Sequence, residues 1–271
     1  MKAPDSGKKY VQKNWKARKR GNNMKKKIAA MLVIMSLACI QLAGCGQEEK
    51  KTEDNKKTET VESKTEKKSE TKKDNKKTEK KDSNETDKKI TDVKRGTIAD
   101  GMYKNESFGV SFPVASNMIA CTDEQIAQTL NLGTDFLENQ ETYTAETMED
   151  VMEGALYDTI ILFSDNSSSV SVIYEDMDKA DSISITEEQY LKAVGNSLTS
   201  LNMGYEVEEP TTQDIGGTEF ASMTSKTSQY QQTYCIHKVG NYMIEFIFTY
   251  TDATEQEVNN FISQIAFESP L

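Results

Sequence analysis

The sequence predicts an α+β domain, a central antiparallel sheet flanked by helices, in residues 96–271, preceded by a signal peptide and a disordered tether. Three observations predict this organisation. An apolar run follows three lysines and ends at Cys45. The next stretch has almost no aliphatic side chains, and the composition changes abruptly after Arg95. Beyond Arg95, alternating patterns typical of strands are interleaved with patterns typical of capped helices.

Residues 24–45 follow the signal-peptide order of a basic region, a short apolar region and small residues before a cysteine. The apolar part is shorter than the roughly 20 residues that cross a bilayer as a helix. Leu42, Ala43 and Gly44 before Cys45 resemble the lipobox of bacterial lipoproteins. The resemblance implies cleavage before Cys45 and a lipid on its thiol, which would anchor the protein at the extracytoplasmic face of the cell membrane. A plain secretory signal with a chance cysteine is the alternative.

Residues 1–23 are basic, with Asp5 as their one acidic residue. One interpretation is an arm that binds nucleic acid or a membrane surface. The other is an over-extended N-terminus, because residues 24–27 already open a complete signal peptide. Arg20-Gly21 can also be encoded by a purine-rich ribosome-binding sequence. We therefore expect Met24 to be the true start.

Residues 46–95 contain 17 Lys and Arg and 14 Asp and Glu, with the two signs finely mixed. Their aliphatic residues are Val61, Ile90 and Val93. Such a segment cannot bury enough apolar surface to offset its conformational entropy. A flexible chain of this length has an end-to-end distance of about 40 Å. We predict a tether that holds the domain clear of the lipid or passes through cell-wall polymer.

The remaining residues, 96–271, carry 29 acidic side chains against five lysines and no arginine, a net charge of −24. The value of −11 for the whole chain conceals this partition. A domain this acidic repels phosphate backbones, which excludes nucleic-acid binding. It attracts divalent cations or a basic partner surface. High solubility is the other explanation of such a surface.

Strands are predicted where apolar residues alternate. Phe108, Val110 and Phe112 share one face of a first strand, which Pro113 ends. The predicted strands are residues 108–112, 159–163 and 170–174, followed by a meander across residues 205–250. The second and third form a hairpin around a polar turn.

Helices are predicted mainly from capping boxes. In the clearer box, Thr186 and Gln189 cap each other, and Ile185 can pack on Tyr190. A second box joins Thr254 and Glu257, before a buried stripe at Val258, Phe261, Ile262 and Ile265. The weaker patterns are a helix from Thr122 or Asp123 to Leu130 with Gly133 as its stop, and a stripe at Met148, Val151, Met152 and Ala155.

The turn Gly240-Asn241 predicts a strand register. A two-residue hairpin turn places Val239 opposite Tyr242, so that His237 faces Ile244 and Cys235 faces Phe246. His237 is the one histidine of the chain. This count excludes a serine triad and a multi-histidine metal site. We expect His237 to be a packed residue.

Two cysteines remain once Cys39 leaves with the signal peptide and Cys45 is lipidated. Cys121 and Cys235 form a disulfide, which an exported domain permits, or are two separate buried thiols. A disulfide would close a loop of over 100 residues and add about 4 kcal/mol in the chain-entropy model. The spacing does not match a Cys-x-x-Cys redox motif.

Residues 103–113 resemble the opening of PsbP-like domains in lipoproteins of clostridial bacteria, where the pattern is Tyr-x-Asn-x-x-Phe-Gly-Phe-Ser-Phe-Pro. The end of the domain, residues 240–267, is similar too. The resemblance implies a central antiparallel sheet flanked by helices. It also implies docking without catalysis, because photosynthetic members are extrinsic subunits and a eukaryotic relative binds a small GTPase. No site residue of those members matches this chain.

The sequence thus favours a membrane-anchored interaction or accessory module with a protein partner in the envelope. It predicts no catalytic residue, cofactor or metal site, because no constellation of activated groups is found. Capture of a ligand or divalent cation is the alternative, and an enzyme comes third. The alternative is motivated by the acidic stretches at residues 174–178 and 206–209. The first has alternating Asp176 and Asp178 but lacks the glycine and terminal glutamate of a calcium loop.

Overall fold

The computed structural model describes residues 89–139, 152–180 and 184–268, without the side chain of Phe136. The predicted N-terminal extension, signal peptide, lipobox and Cys45 lie outside these residues. So does the predicted tether up to residue 88.

The first described strand begins at Thr97, one residue after the predicted start of the domain. The strands are β1 Thr97–Ala99, β2 Met102–Asn105, β3 Val110–Pro113, β4 Ile119–Ala120, β5 Ala155–Leu162, β6 Ser169–Asp176, β7 Glu206–Val207, β8 Thr211–Ile215, β9 Thr218–Lys226, β10 Gln231–Val239, β11 Tyr242–Tyr250 and β12 Ala266–Phe267. The helices with described bounds are α1 Asp123–Asn139, α2 Glu187–Ser200 and α3 Glu255–Ile262.

The strands form two antiparallel sheets. The small sheet has the order β1-β2-β3-β12. The large sheet has the order β4-β5-β6-β11-β10-β9-β7, with β8 also paired to β9. Short turns join most sequential neighbours, which is the connection that antiparallel strands allow. The predicted α+β class with a central antiparallel sheet and flanking helices is confirmed.

The large sheet separates two apolar cores. On one face, here called the helix side, it packs against α1 and α2. On the other face it packs against the small sheet and α3. Neighbouring residues of β10 show the division, since Tyr234 and Ile236 belong to the first core and Cys235 to the second. Both faces of the central strands are therefore buried.

The predicted hairpin register is confirmed. Val239 pairs with Tyr242, His237 with Ile244 and Cys235 with Phe246. Gly240 has a φ of +58°, a conformation that a side chain rarely adopts and that the tight turn requires.

The clearer capping box is confirmed at α2. The Thr186 side chain accepts from the Gln189 amide, and the Gln189 side chain accepts from the Thr186 amide. The first helix is also capped as predicted at Thr122, whose hydroxyl accepts from the Gln125 amide at 3.3 Å.

The predicted stop of the first helix is wrong. The helix continues through Gly133 to Asn139, because Leu137, four residues after Gly133, extends the buried stripe and is 0% exposed. This apolar contact outweighs the low helix propensity of one glycine.

Two further helix predictions need correction. Thr254 does not cap α3 with its side chain. Its hydroxyl instead accepts from the Thr251 amide at 3.0 Å and from the Ser168 hydroxyl at 2.7 Å. Residues 152–154 are helical, but Ala155 begins β5 and pairs with Glu175, so the predicted helical stripe does not include it. Met148 and Val151 lie outside the described residues.

Gly109 joins the two ends of the domain, and its replacement tests that contact. Gly109 and Gly217 both have a positive φ, +68° and +83°. A Cβ at Gly109 would lie 1.7 Å from the Glu268 carbonyl oxygen, whereas at Gly217 nothing lies within 4 Å. We expect Gly217→Ala to cost about 1 kcal/mol of unfolding free energy from backbone strain.

Gly109→Ala is expected to cost more, about 3 kcal/mol, because the clash also separates β12 from β3. Urea unfolding of the two variants measures the difference. Equal losses would show that the contact between β3 and β12 contributes little.

Candidate functional site

The end of the predicted tether is bound to the domain. We call residues 89–96 the strap. Its Lys89 Nζ lies 2.6 Å from Asp178 Oδ2, and the Ile90 amide donates to Asn241 Oδ1 at 2.8 Å. Ile90 and Val93, two of the few aliphatic residues of the predicted tether, pack against the core on the small-sheet side. The contacts of the folded domain therefore begin upstream of residue 96.

Asp158 of β5 holds the last residues of the strap. Its side chain is 0% exposed. The Gly96 amide donates to its two carboxylate oxygens at 2.8 and 3.0 Å, and Asn105 Nδ2 donates at 3.0 Å. The Arg95 guanidinium donates to the Asp158 carbonyl at 2.6 Å and to Asp123 Oδ1 at 2.6 Å. Asp158 therefore fixes the strap where it meets the domain.

Two tyrosines complete the Asp158 cluster. The Tyr103 hydroxyl donates to Asp158, and the Tyr174 hydroxyl lies 3.0 Å from the Tyr103 oxygen. A phenol has one hydrogen, so Tyr174 must donate to Tyr103. Burial raises the pKa of both phenols and keeps them protonated as donors.

A second buried cluster lies on the helix side of the large sheet. Glu175 of β6 is 3% exposed and Glu245 of β11 is 0% exposed. The Tyr190 hydroxyl of α2 lies 2.7 Å from Glu175 Oε2 and 2.6 Å from Glu245 Oε1. The single phenolic hydrogen can serve one of these contacts. The other is a hydrogen bond when a glutamic acid donates to the phenol oxygen, so the geometry requires at least one protonated glutamate.

The electrostatics agree with this proton count. Burial raises the pKa of Glu175 to about 8, although the Tyr190 hydrogen bond opposes the shift. Burial also raises the pKa of Glu245 well above its ordinary value, and the neighbouring Glu175 charge adds to the effect. Both carboxyls therefore hold protons more tightly than exposed glutamates do.

The helix side also contains the buried polar atoms that lack a hydrogen-bond partner within the described ranges. These atoms are Thr129 Oγ1, Tyr157 Oη, Ser169 Oγ, Ser225 Oγ and Glu245 Oε2. Strand alternation places the four strand residues on the face covered by α1 and α2, and Thr129 lies on α1. Such atoms are uncommon in native interiors and mark a region with unused hydrogen-bonding capacity.

The acidic stretch at residues 174–178 is divided between three environments. Glu175 points into the helix-side core. Asp176 accepts from Asn241 Nδ2 at 3.2 Å, and Asp178 is paired with Lys89. Among residues 89–139, 152–180 and 184–268, no group of three or more His, Cys, Asp or Glu side chains is arranged to hold a metal ion.

The sequence-predicted cysteines lie on opposite faces of the large sheet. Cys121 packs against the helix-side core, whereas Cys235 is buried in the core below the small sheet. The structure does not join them, and the arrangement is that of two separate thiols. Burial raises the pKa of Cys235 to about 12, so its thiol stays protonated and unreactive at neutral pH.

His237 is packed, as predicted. Its ring lies between Phe220 and Phe267, at centroid distances of 5.1 and 5.5 Å. Burial lowers its pKa, so the imidazole is neutral near pH 7.

Three surface lysines of the domain, Lys104, Lys192 and Lys226, lie near acidic side chains. The Nζ–Oε1 distances are 2.6 Å from Lys192 to Glu188, 3.1 Å from Lys226 to Glu208 and 4.0 Å from Lys104 to Glu106. These pairs leave the large excess of acidic groups without matching cations in the domain. The surface therefore has a negative potential that attracts cationic groups.

Sequence reasoning missed both buried clusters. A usable signal exists for Glu245, which lies between Ile244 and Phe246 in a strand whose two faces are both apolar. An acidic residue in such a strand must be buried. Asp158 lies in the same kind of strand, before Ile160 and Ile161. The sequence cannot show which partners reach them.

None of the helices in the part of the chain that the structure describes is long and apolar enough to cross a bilayer.

The chain is similar in fold to proteins of known structure. No protein-family model and no curated protein matches the chain. It is similar to the solution structure of CyanoP, a cyanobacterial PsbP from Synechocystis sp. PCC 6803, at 10% identity over 62% of this chain and 91% of that one, with a TM-score of 0.38. It is also similar to the crystal structure of LpqN, involved in cell envelope biogenesis of Mycobacterium tuberculosis, at 9% identity over 58% and 82% of the two chains, with a TM-score of 0.33.

Proposed function

We propose that this chain is an extracytoplasmic lipoprotein of the clostridial type, anchored by a lipid on Cys45, whose domain docks a protein partner without catalysing a reaction. The observation that carries the docking function is the charge partition. Residues 96–271 hold 29 acidic groups against five lysines, three of which lie beside carboxylates. A partner with a basic surface fits this field and is steered toward it.

The strap supports the anchored arrangement. A flexible tether of about 40 residues gives the domain freedom above the membrane. The ion pair of Lys89 and the hydrogen bonds of Arg95 and Gly96 hold the last residues of that connection on the domain surface. These contacts fix the position on the domain surface at which residues 89–96 lead into the proposed tether.

In-cell crosslinking of the tagged full-length protein tests the proposal. We expect a stoichiometric envelope protein to be captured with the wild type and lost with Cys45→Ser. We also expect the purified pair to dissociate when the salt concentration is raised from about 0.1 to 0.5 M, because exposed charges are then screened.

Two results would contradict the proposal. A monomer in both strains would remove the docking function. A captured partner that stays bound at high salt and has no basic surface would remove the role of the acidic field. The alternative left open by the sequence, capture of a ligand or divalent cation, predicts instead a large rise in the melting midpoint when calcium is added.

A further inference from the structure

We propose that Glu175, Tyr190 and Glu245 form a proton-binding site that fastens the first turns of α2 to the large sheet and releases them as the pH rises. The site joins two layers of the fold. Glu175 and Glu245 belong to the adjacent strands β6 and β11, and Tyr190 belongs to the helix that covers them. Its hydrogen bonds are therefore contacts between α2 and the sheet.

The number of hydrogens controls these contacts. With a proton on one glutamate, the Tyr190 hydroxyl donates to one carboxyl group and accepts from the other. When that proton leaves, one phenolic hydrogen faces two buried carboxylates. One contact is then lost, and the carboxylates repel each other in a region that water does not reach. Both effects weaken the attachment of α2.

Among the described residues, no lysine or arginine is a cause of the raised pKa of either carboxyl. The titratable or charged residues on the helix side of the sheet are Tyr157 of β5 and Tyr234 and Lys238 of β10, and Asp176 follows Glu175 on β6. Besides Tyr190, α2 carries Glu187, Glu188 and Lys192, and Lys192 is exposed and paired with Glu188 at 2.6 Å. The facing residues of α1 are apolar or Thr129. Lys238 lies two residues along β10 from Ile236, the strand partner of Glu245, and Glu187 Oε1 accepts from the Lys238 amide at 3.2 Å. Asp176 acts in the opposite sense, raising the pKa of Glu175.

Two buried polar atoms on the same side of the sheet, Tyr157 Oη and Glu245 Oε2, have no hydrogen-bond partner among the described residues. Burial raises the pKa of the Tyr157 phenol, and the charges of Glu245 and Glu175 add to the shift. When Glu245 is ionised, Oε2 carries negative charge that no hydrogen bond stabilises. Burial of this atom therefore also favours the protonated form of Glu245.

The sign of the pH dependence follows from linkage. An unfolded glutamate has a pKa near 4.5, and the folded value of Glu175 is about 8. Between these values the folded state binds more protons, so its stability falls as the pH rises. The contribution of the pair is complete below pH 4.5 and is lost as the pH passes through the folded pKa.

Hydrogen exchange of the full chain, purified in detergent, tests the proposal between pH 6 and 9. Exchange of residues 187–200 is compared with that of α3, residues 255–262, after correction for the intrinsic rate. We expect the opening of α2 relative to α3 to increase about tenfold per pH unit from pH 6 to about pH 8 and to level off above the folded pKa of Glu175. In the variant Glu175→Gln with Glu245→Gln, the ratio should change less than about twofold, because amides do not titrate in this range.

Two further variants keep the test independent of that double substitution. Tyr190→Phe retains the ring and removes the hydroxyl, so α2 should open more readily than in the wild type at pH 6. Its opening should still increase with pH, because the two buried carboxyls titrate without the hydroxyl. Glu188→Gln removes an exposed charge from the same helix turn and should behave as the wild type.

The proposal is overturned if α2 and α3 exchange in constant ratio at every pH in the wild type. It is also overturned if the double glutamine variant keeps the pH dependence. Restoration of α2 protection at pH 9 by millimolar calcium would show that the pair binds a cation rather than protons.

Discussion

Replacing Cys45 by serine is expected to abolish lipid attachment, with incorporation of labelled palmitate falling to background. Serine has no thiol to receive the lipid, and the proposed cleavage before residue 45 depends on that modification. The chain should therefore keep residues 24–44, which an intact mass measurement of the membrane fraction detects. The loss is complete rather than partial, since this anchor depends on one side chain.

Cys39→Ser is the matched control, because it removes the other cysteine of the same apolar segment. It should be labelled and cleaved as the wild type is. Labelling that persists in Cys45→Ser, or disappears in Cys39→Ser, would contradict the lipobox interpretation. Such a result would favour a plain secretory signal, and it would also contradict the proposal that the domain is anchored by a lipid.

Replacing Asp158 by alanine is expected to lower the free energy of unfolding by about 3–5 kcal/mol. The substitution removes the buried acceptor of the Gly96 amide, of Asn105 Nδ2 and of the Tyr103 hydroxyl. The buried Tyr103 hydroxyl and one of the two Asn105 Nδ2 hydrogens would lose their acceptor, which costs the desolvation penalty of these groups, while Asn105 keeps its hydrogen bond to the Lys94 carbonyl. Urea unfolding at pH 7 measures the change, and a constant dependence on urea concentration shows that the unfolded state is unaltered.

Asp123→Ala is the control for Asp158→Ala. It removes the other carboxylate that binds Arg95, but Asp123 is exposed, with 81% of its side chain accessible. An exposed ion pair contributes about 0–1 kcal/mol, so this variant should be nearly neutral. Similar losses in the two variants would mean that the guanidinium, rather than the buried hydrogen bonds, is the main source of stability at the strap.

Local patterns in the sequence predicted much of the fold. The Thr186 box depends on residues three apart, and the register of β10 and β11 follows from the turn between them. Val110 and Phe112 are buried as alternation within one strand predicts, but β3 begins at Val110, and Phe108, which is also buried, lies in the turn before it. The acidic partition is a property of composition alone.

Local patterns failed where a distant group competes for the same atoms. The Thr254 hydroxyl matches a capping box, but Ser168, 86 residues away, donates to it instead. Gly133 resembles a helix stop, but burial of Leu137 in the helix-side core stabilises the longer helix. In both cases the tertiary contact outweighs a local preference of about 1 kcal/mol.

The sequence by itself predicts an export signal, and it determined the acidic composition of the domain and most strand and helix positions, because these depend on neighbouring residues and on periodicity. Only the tertiary structure decided that Glu175 and Glu245 share Tyr190, that Asp158 receives Gly96, and that Cys121 and Cys235 lie on opposite faces. Each of these results depends on which strands become neighbours and which face each element covers. That choice is made by burial of the whole domain, and alternation within a strand carries no information about the partner across the sheet.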